Sequence, residues 1–378
     1  MKTGEPVVQL LADLVAIPSM NPMGLDRTGA EYREGRIAEF VASYLRAMGA
    51  DIEVDEVTPG RPNVIARIDV GAQQSVMLEA HLDTVSADNM EIEPFTPTIT
   101  DGKLYGRGAC DTKGSIASML WALRSLTERK QKLRYNVVLV ATADEEYRFS
   151  GARHAAAHGL RADFGIAGEP TKLRIVRAHK GVTRWRILSH GTAAHAAYPE
   201  RGESAIYAMG HILTRLEGYA RGLAQAPPHS LLGVPSLSVG VIEGGQAVNV
   251  VPDRCWIEVD RRTLPGEGLE DVLQPVKQLL RDVPRWDFED PHMSVPAMEV
   301  GSDTAGVRTL SQVIAAVTGN AVVEAAPYAT DAGIYNSVGI PTVVFGPGDI
   351  AQAHTSSEFI EIAQLQQASE ILTRLLTT

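Results

Sequence analysis

The chain has 378 residues, with 35 Lys and Arg set against 46 Asp and Glu for a formal net charge of −11. That balance, with no long basic run, argues against a general nucleic-acid or acidic-membrane partner. A hydrophobic fraction of 44% with 21% charged residues fits a soluble globular protein long enough for two domains, and the two cysteines, Cys110 and Cys255, make no disulfide framework and suit a reducing compartment.

Near the N-terminus Val7, Leu10, Leu11, Leu14 and Val15 recur at helical spacing, interrupted by Gln9 and Asp13. That pattern predicts an amphipathic helix rather than a signal-peptide core, and no stretch approaches the roughly 20 apolar residues that cross a bilayer. The expected compartment is the cytoplasm, without a membrane partner. A second helix is predicted over 34–48, with Ile37, Phe40, Val41, Tyr44, Leu45 and Met48 on one face and Gly49 as its stop. Strand patterns follow at 51–57, 63–68 and 75–80, then a helix over 113–129, a strand from Val137, a helix near 151–159 and a short strand at 164–167. The alternation predicts an α/β layer, helices covering both faces of a largely parallel sheet.

From about 177 the texture changes. A strand (183–189), a helix (203–223), two strands (237–243 and 255–261), a helix (269–282) and a strand (286–289) give the order βαββαβ, the split ferredoxin-like unit. Helix 304–317, strand 322–325, helix 331–336, strand 342–345 and a C-terminal helix then resume the alternation. The expected organisation is one α/β domain in two parts, 1–176 and 292–378, interrupted by an inserted smaller domain at 177–291.

The stretch "VVLVATADEEY" poses the chemical question, since an apolar strand ends there in Asp144, Glu145 and Glu146. Adjacent like charges at ~4 Å repel by roughly 4 kcal/mol at an effective dielectric near 20. Other strand ends carry similar groups: His81 and Asp83 after "SVMLEA", Glu169 after "FGIAG", and His354 after "TVVFGPGDIAQA". Asp111 lies in the Gly-rich turn "GRGACDTKG" just before a helix. Taken singly, each reads as a solvated or capping residue, and Asp111 as a helix cap. Together, five segments deliver two imidazoles and several carboxylates to the carboxyl edge of one sheet, where ligands of α/β folds bind. Such a set suits zinc, and cobalt or manganese less specifically. With His81, Asp111, Glu146, Glu169 and His354 as ligands, three carboxylates against two dications leave about +1, which a bound hydroxide neutralises. An extended chain at Glu145–Glu146 would turn the two side chains to opposite sides, one to ligate and one to act as general base. Asp83 is placed to orient His81.

In order, the segments "HLDTV", "GRGACDTKG", "TADEE", "GEPT" and "GPGDIAQAH" resemble the signature of one family of dizinc amidohydrolases, peptidase family M20. The family includes acetylornithine deacetylase, succinyl-diaminopimelate desuccinylase, aminoacylase and glutamate carboxypeptidase. The resemblance implies a dizinc-exopeptidase-like catalytic domain carrying a lid and dimerisation insert. His81 and Glu169 would hold one zinc and Glu146 and His354 the other, with Asp111 bridging, Glu145 as acid/base and Asp83 behind His81. In the insert, "GTAAHAAYPERGESAI" is similar to the lid segment and points to His195 as the group that polarises the scissile carbonyl. "GGQAVNVVPD" and "DRRTLPGE" resemble the substrate-carboxylate segments, pointing to Asn249 and Arg262. Without the family, His195 and Arg262 read as surface residues, and Cys110 as a packing residue.

Two departures stand out: Ser357-Glu358 replaces the usual Asp-Glu pair after His354, and Ser86 replaces a common Pro. Neither removes a ligand or the base. The implied activity is deacylation of N-acyl amino acids, nearest to acetylornithine-deacetylase-like members, in which a metal-bridging hydroxide works with Glu145. A dipeptidase or carboxypeptidase of the same family is the alternative. A non-catalytic amino-acid-binding relative is disfavoured because the base and all five ligands are present. Implied partners are an N-acyl amino acid or dipeptide substrate and a second copy of the chain, as a homodimer through the insert.

Overall fold

The computed structural model of the chain describes residues 6–377. They form two compact units, one of Ala178–Met298 with Ala326–Ala329, the other of the chain before, between and after these segments. In chain order the elements begin with α1 (Pro6–Val15), α2 (Gly35–Arg46), β1 (Asp51–Thr58), β2 (Arg61–Ile68) and β3 (Ser75–His81). There follow β4 (Thr98–Thr100), β5 (Lys103–Tyr105), α3 (Lys113–Glu128), β6 (Asn136–Thr142), α4 (Ser150–Ala157), β7 (Phe164–Ala167) and β8 (Ile175–His179). The second unit contributes β9 (Gly181–His190), β10 (Ala194–His195), α5 (Ala205–Leu223), β11 (Ser236–Gly244) and β12 (Val250–Val251). It continues with β13 (Arg254–Thr263), α6 (Leu269–Leu280), β14 (Trp286–Phe288) and β15 (Met293–Val295). The chain closes with β16 (Met298–Glu299), α7 (Ala305–Thr318), β17 (Val323–Ala326), α8 (Asp331–Ser337), β18 (Thr342–Val344), β19 (Phe359–Glu361) and α9 (Ile362–Leu375). Among the described residues no helix is long and apolar enough to cross a membrane.

The large sheet runs β1-β2-β6-β3-β7-β18-β8-β16, with β17 beside β8. Its centre is parallel, as expected: β6, β3, β7 and β18 pair in that sense. Its flank is not. β1, β2 and β6 pair antiparallel; for β1 and β2 the cause is the Pro59-Gly60 link, too short for any parallel crossover. Gly60 takes φ 78° in that turn, where glycine carries no steric cost. The centre reads as apolar runs because it is covered on both faces; β3 is buried from Val76 to His81. Helix α3 is buried nearly all round, including Lys113, Gly114, Ser115, Ala117 and Ser118. Its small residues permit close approach: a Cβ on Gly114 would lie 2.6 Å from Ile360 Cδ1 and 2.8 Å from the Ala109 carbonyl oxygen.

A small sheet, β19-β5-β4, is absent from the sequence-based expectation. Its β4–β5 turn is Asp101-Gly102, both left-handed at φ 50° and 76°, and Asp-Gly is a strong two-residue hairpin signal. The flanking strands are only three residues each, too short to show alternation.

In the second unit the sheet order is β11-β13-β9-β14. The strands of the βαββαβ order thus lie fourth, first, third, second, all antiparallel, and β15 extends the pairing along β9. Trp185, Ile187, Met209, Ile212, Ile257 and Val276 belong to its core.

His179, also in this unit, is fully buried. Its Nδ1–H donates to the Lys180 carbonyl oxygen at 3.0 Å, and its Nε2 meets no hydrogen-bond partner. Burial therefore pushes its pKa down to about 4, against about 6.5 when unfolded. A depressed histidine stabilises fully above pH 6.5, and that contribution is lost as pH falls from 6.5 toward 4, about 3 kcal/mol in all. Urea midpoints of wild type and His179→Gln are expected to differ progressively less in wild type's favour across this window. Parallel pH profiles would remove His179 as the cause.

Candidate metal centre

Four neighbouring parallel strands aim their carboxyl ends at one edge of the sheet. His81 is the last residue of β3, Glu145 and Glu146 follow β6, Glu169 follows β7, and His354 lies beyond β18. Asp111 comes from the turn before α3. It does not cap that helix, whose N-cap is Thr112. The Asp111 carboxylate instead stands between the two imidazoles. Oδ1 is 3.1 Å from His81 Nε2 and Oδ2 is 3.3 Å from His354 Nε2. His354 Nε2 also lies 3.1 Å from Glu146 Oε2, and His81 Nε2 lies 3.8 Å from Glu169 Oε1. Ligand atoms of His81, Asp111 and Glu146 lie mutually within 4.8 Å, as do those of His81, Glu145 and Glu169. The structure thus brings all five expected ligands and Glu145 together.

The electrostatics show a cluster short of positive charge. Burial pushes Glu145 and Glu169 well above the usual carboxylate range, and neighbouring acids add to the rise. Burial likewise raises Glu146, with Asp111 adding to it. Asp111 goes the other way: burial opposes ionisation, but hydrogen bonds from His354 and His81 outweigh it. Hydrogen bonds to Asp111 and Glu146 raise His354 to about 10. Burial disfavours a charged His81, yet Asp111 and Asp83 pull it well above its usual range. Buried carboxylates that repel one another and draw protons onto two imidazoles are a donor set that divalent cations would satisfy.

The chain is not extended at the two glutamates. After β6 it turns, with Asp144 left-handed at φ 65°, so the expected alternation of Glu145 and Glu146 to opposite sides does not apply. The turn is held by Asp83, whose Oδ1 and Oδ2 accept the main-chain N–H groups of Glu145 at 3.1 Å and Glu146 at 3.2 Å. His81 Nδ1 donates to the Asp83 carbonyl oxygen at 2.9 Å, while the Asp83 carboxylate stands 3.6 Å away. Asp83 thus orients the imidazole through its backbone and the acid turn through its side chain.

Several residues of this surround are missed by sequence reasoning. Asn21 Nδ2 donates to Asp83 Oδ2 at 2.7 Å and to Asp144 Oδ1 at 2.9 Å. Arg61 Nη1 donates to Asp144 Oδ1 at 2.7 Å, and its Nε donates to Glu34 Oε2 at 2.9 Å. Asp144, the first acid of "DEE", is therefore an anchor held by Asn21 and Arg61. Glu358, the acid remaining after Ser357, accepts the N–H groups of Gly108, Cys110 and Asp111 at 2.9–3.0 Å and a 2.8 Å bond from buried Arg107. It shapes the turn that presents Asp111. Arg107 reaches Asn89, which donates to the His354 carbonyl oxygen at 3.2 Å. Beneath His81, the Thr142 hydroxyl lies 2.8 Å from Glu79 Oε1 and 3.0 Å from Asp331 Oδ2. One hydroxyl hydrogen serves only one of them, and burial raises both carboxyls, Asp331 to about 6. Cys110 is buried, its thiol raised by that burial and bonded to the Asp349 carbonyl oxygen at 3.3 Å, as suits an inert packing residue.

The family model "Peptidase family M20/M25/M40" matches residues 77–378. The chain belongs to this family. It is 33% identical to the acetylornithine deacetylase of Proteus mirabilis (strain HI4320), over 98% of this chain and 95% of that one. Among solved structures, the M20 family metallo-carboxypeptidase Sso-CP2 of Sulfolobus solfataricus superposes with a TM-score of 0.82 at 19% identity, covering 99% of both chains. A dinuclear metal binding peptidase of the family from Bacillus subtilis gives 0.69 at 20% identity, over 98% of this chain and 96% of that one. At these identities the two structures speak for the M20 fold alone. The family member described here is therefore a hydrolase of amide bonds with the family's catalytic fold and insert.

Within the second unit, β10 pairs with β12, which sets His195 opposite Val250. His195 is exposed and accepts the Ala197 main-chain N–H at Nδ1, 3.0 Å away. In the neutral ring the hydrogen is thereby fixed on Nε2. Asn249 is likewise exposed, and its carbonyl oxygen accepts the Ala196 N–H at 3.0 Å. Arg262 forks onto its neighbour Asp260, Nε to Oδ1 at 2.8 Å and Nη2 to Oδ2 at 3.2 Å. A substrate carboxylate would have to displace Asp260 from that fork.

Proposed function

We propose that the chain is a metal-dependent deacylase of N-acyl amino acids, of the acetylornithine-deacetylase kind. The convergence of His81, Asp111, Glu146, Glu169 and His354 beside Glu145, at the carboxyl edge of the large sheet, supports the chemistry. The full-length likeness to acetylornithine deacetylases supports the substrate class. In this reading His81 and Glu169 hold one divalent ion, Glu146 and His354 the other, and Asp111 both. The donor set favours zinc, with cobalt or manganese as alternatives. When bound, the pair supplies Lewis-acid activation of water and of the amide carbonyl.

The rest falls to the chain's own groups. Glu145 takes the proton of the attacking water and returns it to the departing amine, a shuttle helped by burial that raises its carboxyl. Asp83 keeps His81 and the acid turn in register. His195, with its hydrogen on Nε2, donates to the developing oxyanion, and Asn249 and Arg262 bind the substrate's carboxylate. The insert, 177–291, serves as lid and as the surface of a homodimer, so that His195 completes the site of the neighbouring subunit.

The deciding measurement is kcat/KM for N-acetyl, N-succinyl and N-formyl amino acids against dipeptides, with zinc and with cobalt. The highest value is expected for an N-acyl amino acid. Preference for dipeptides would make the protein a dipeptidase of the family, and a metal-free protein with unaffected turnover would remove the metal chemistry. Exchange between Glu145→Ala and His195→Ala chains tests the division between subunits. Half of randomly exchanged dimers are mixed and half of their sites are intact, so about a quarter of wild-type activity should return. Recovery near zero, with mixed dimers confirmed by mass, would exclude action across the interface.

A further inference from the structure

We propose that Asp55, His154 and His158 form a separate surface site for a divalent transition-metal ion. It stands apart from the proposed catalytic function, since none of the three shares a bond with the candidate centre. His154 sits on α4 and His158 just past its end, one helical turn apart and hence on one face. Their rings stack with centroids 4.0 Å apart and planes at 27°. His158 Nδ1 lies 2.8 Å from the His154 carbonyl oxygen. A carbonyl only accepts, so Nδ1 carries the hydrogen and the neutral ring's lone pair is at Nε2. His154 Nε2 lies 2.7 Å from Asp55 Oδ2 on β1.

One ligand atom from each residue lies within 4.8 Å of the other two. Around a tetrahedral ion with bonds of about 2.0–2.1 Å, ligand atoms stand roughly 3.4 Å apart. The widest separation must therefore contract by up to about 1.4 Å. His158 is exposed and Asp55 and His154 are half-buried, so rotamer adjustment accomplishes that without moving the core. Two imidazoles and a carboxylate, with remaining positions open to water, suit Zn²⁺ and bind Cu²⁺ most strongly of the first-row divalent ions. On binding, the ion takes the place of the hydrogen between His154 Nε2 and Asp55, and the neutral ring carries that hydrogen on Nδ1 instead.

Such an ion would brace α4 against β1. The first turn of α4 is bonded to the acid turn, through Gly151 N–H on the Ala143 carbonyl oxygen at 2.9 Å and the Ser150 hydroxyl on Asp144. The brace thus acts on the helix that leads away from Glu146.

The test uses the full-length metal-loaded protein, passed through gel filtration and then titrated with Cu²⁺ by equilibrium dialysis and electron paramagnetic resonance. Wild type is expected to take up one further Cu²⁺ per chain with splitting from two imidazole nitrogens. In His158→Ala that splitting should fall to one nitrogen and the affinity should drop. Asp55→Asn, which keeps both imidazoles, should weaken binding by at least the roughly 10–100-fold that even an outer partner of a metal ligand is worth. Turnover before Cu²⁺ addition should be unchanged in both. Wild type without an additional ion, or equal uptake with the same splitting in His158→Ala, would overturn the assignment.

Discussion

Replacing Glu145 with Gln is expected to leave bound metal in place and to slow turnover by roughly 10²–10⁴-fold, the usual worth of general acid–base help. The substitution preserves size and leaves untouched the main-chain N–H that Asp83 accepts at 3.1 Å, so the acid turn should keep its shape. What it removes is the ability to take up a proton and return it. Burial and the nearby acids raise this carboxyl well above its usual range, which brings its proton affinity closer to that of the groups it serves. Glu146→Gln should behave differently. Its carboxylate stands 3.1 Å from His354 Nε2, on the ligand side of the cluster, so its loss should lower metal content before it alters the rate per metal-loaded site. The contrast is informative because Glu145 also lies within ligand spacing of His81 and Glu169. Metal analysis and kcat measured on both variants separate the roles. Metal loss in Glu145→Gln with retention in Glu146→Gln would show the two assignments to be reversed.

The sequence makes most of the proposed ligands legible because His81, Glu146 and Glu169 stand where an apolar run meets a charged or imidazole group. "VVLVATADEE" and "SVMLEAH" show both a buried strand and what it delivers. The surround is illegible for the opposite reason. Arg61 opens a strand in "GRPNV", and Glu34 precedes a helix in "YREGR"; each looks like an ordinary solvated charge, and only the fold brings them together 27 positions apart. Glu358 was visible as half of an altered acid pair, but nothing local indicates that its carboxylate accepts three main-chain N–H groups. The antiparallel β1–β2 pair at the flank of the sheet follows from the two-residue Pro59-Gly60 link, a signal present in the sequence but outweighed by the surrounding α/β alternation. Asp101-Gly102 carried a comparable turn signal between strands too short to advertise themselves.

Arg61 is the buried residue whose loss should be felt most widely. It is 9% exposed and its partners Glu34 and Asp144 are 0% and 4% exposed. Its guanidinium bonds both, and Asp83 Oδ2 lies 3.9 Å from Nη2. Burial pushes Glu34 up to about 7 even with Arg61 opposing the shift. Arg61→Leu would strand two buried carboxylates, and breaking a buried ion pair from one side costs about 3–5 kcal/mol. Arg67 on the same strand supplies the control: its side chain is 45% exposed and pairs with Glu53 at 3.0 Å, an arrangement worth about 0–1 kcal/mol. Arg61→Lys restores charge but not the planar fork that spans two acids, and should fall between. Function should suffer below the unfolding temperature as well. Asn21 ties Asp144 to Asp83, and Asp83 in turn holds the main chain of Glu145 and Glu146. Calorimetric and urea unfolding, with kcat at low temperature, should rank the variants Arg67→Leu, Arg61→Lys, Arg61→Leu in increasing damage. An Arg61→Leu protein as stable and active as Arg67→Leu would mean that Glu34 and Asp144 discharge by protonation at little cost and that the acid turn is held without them.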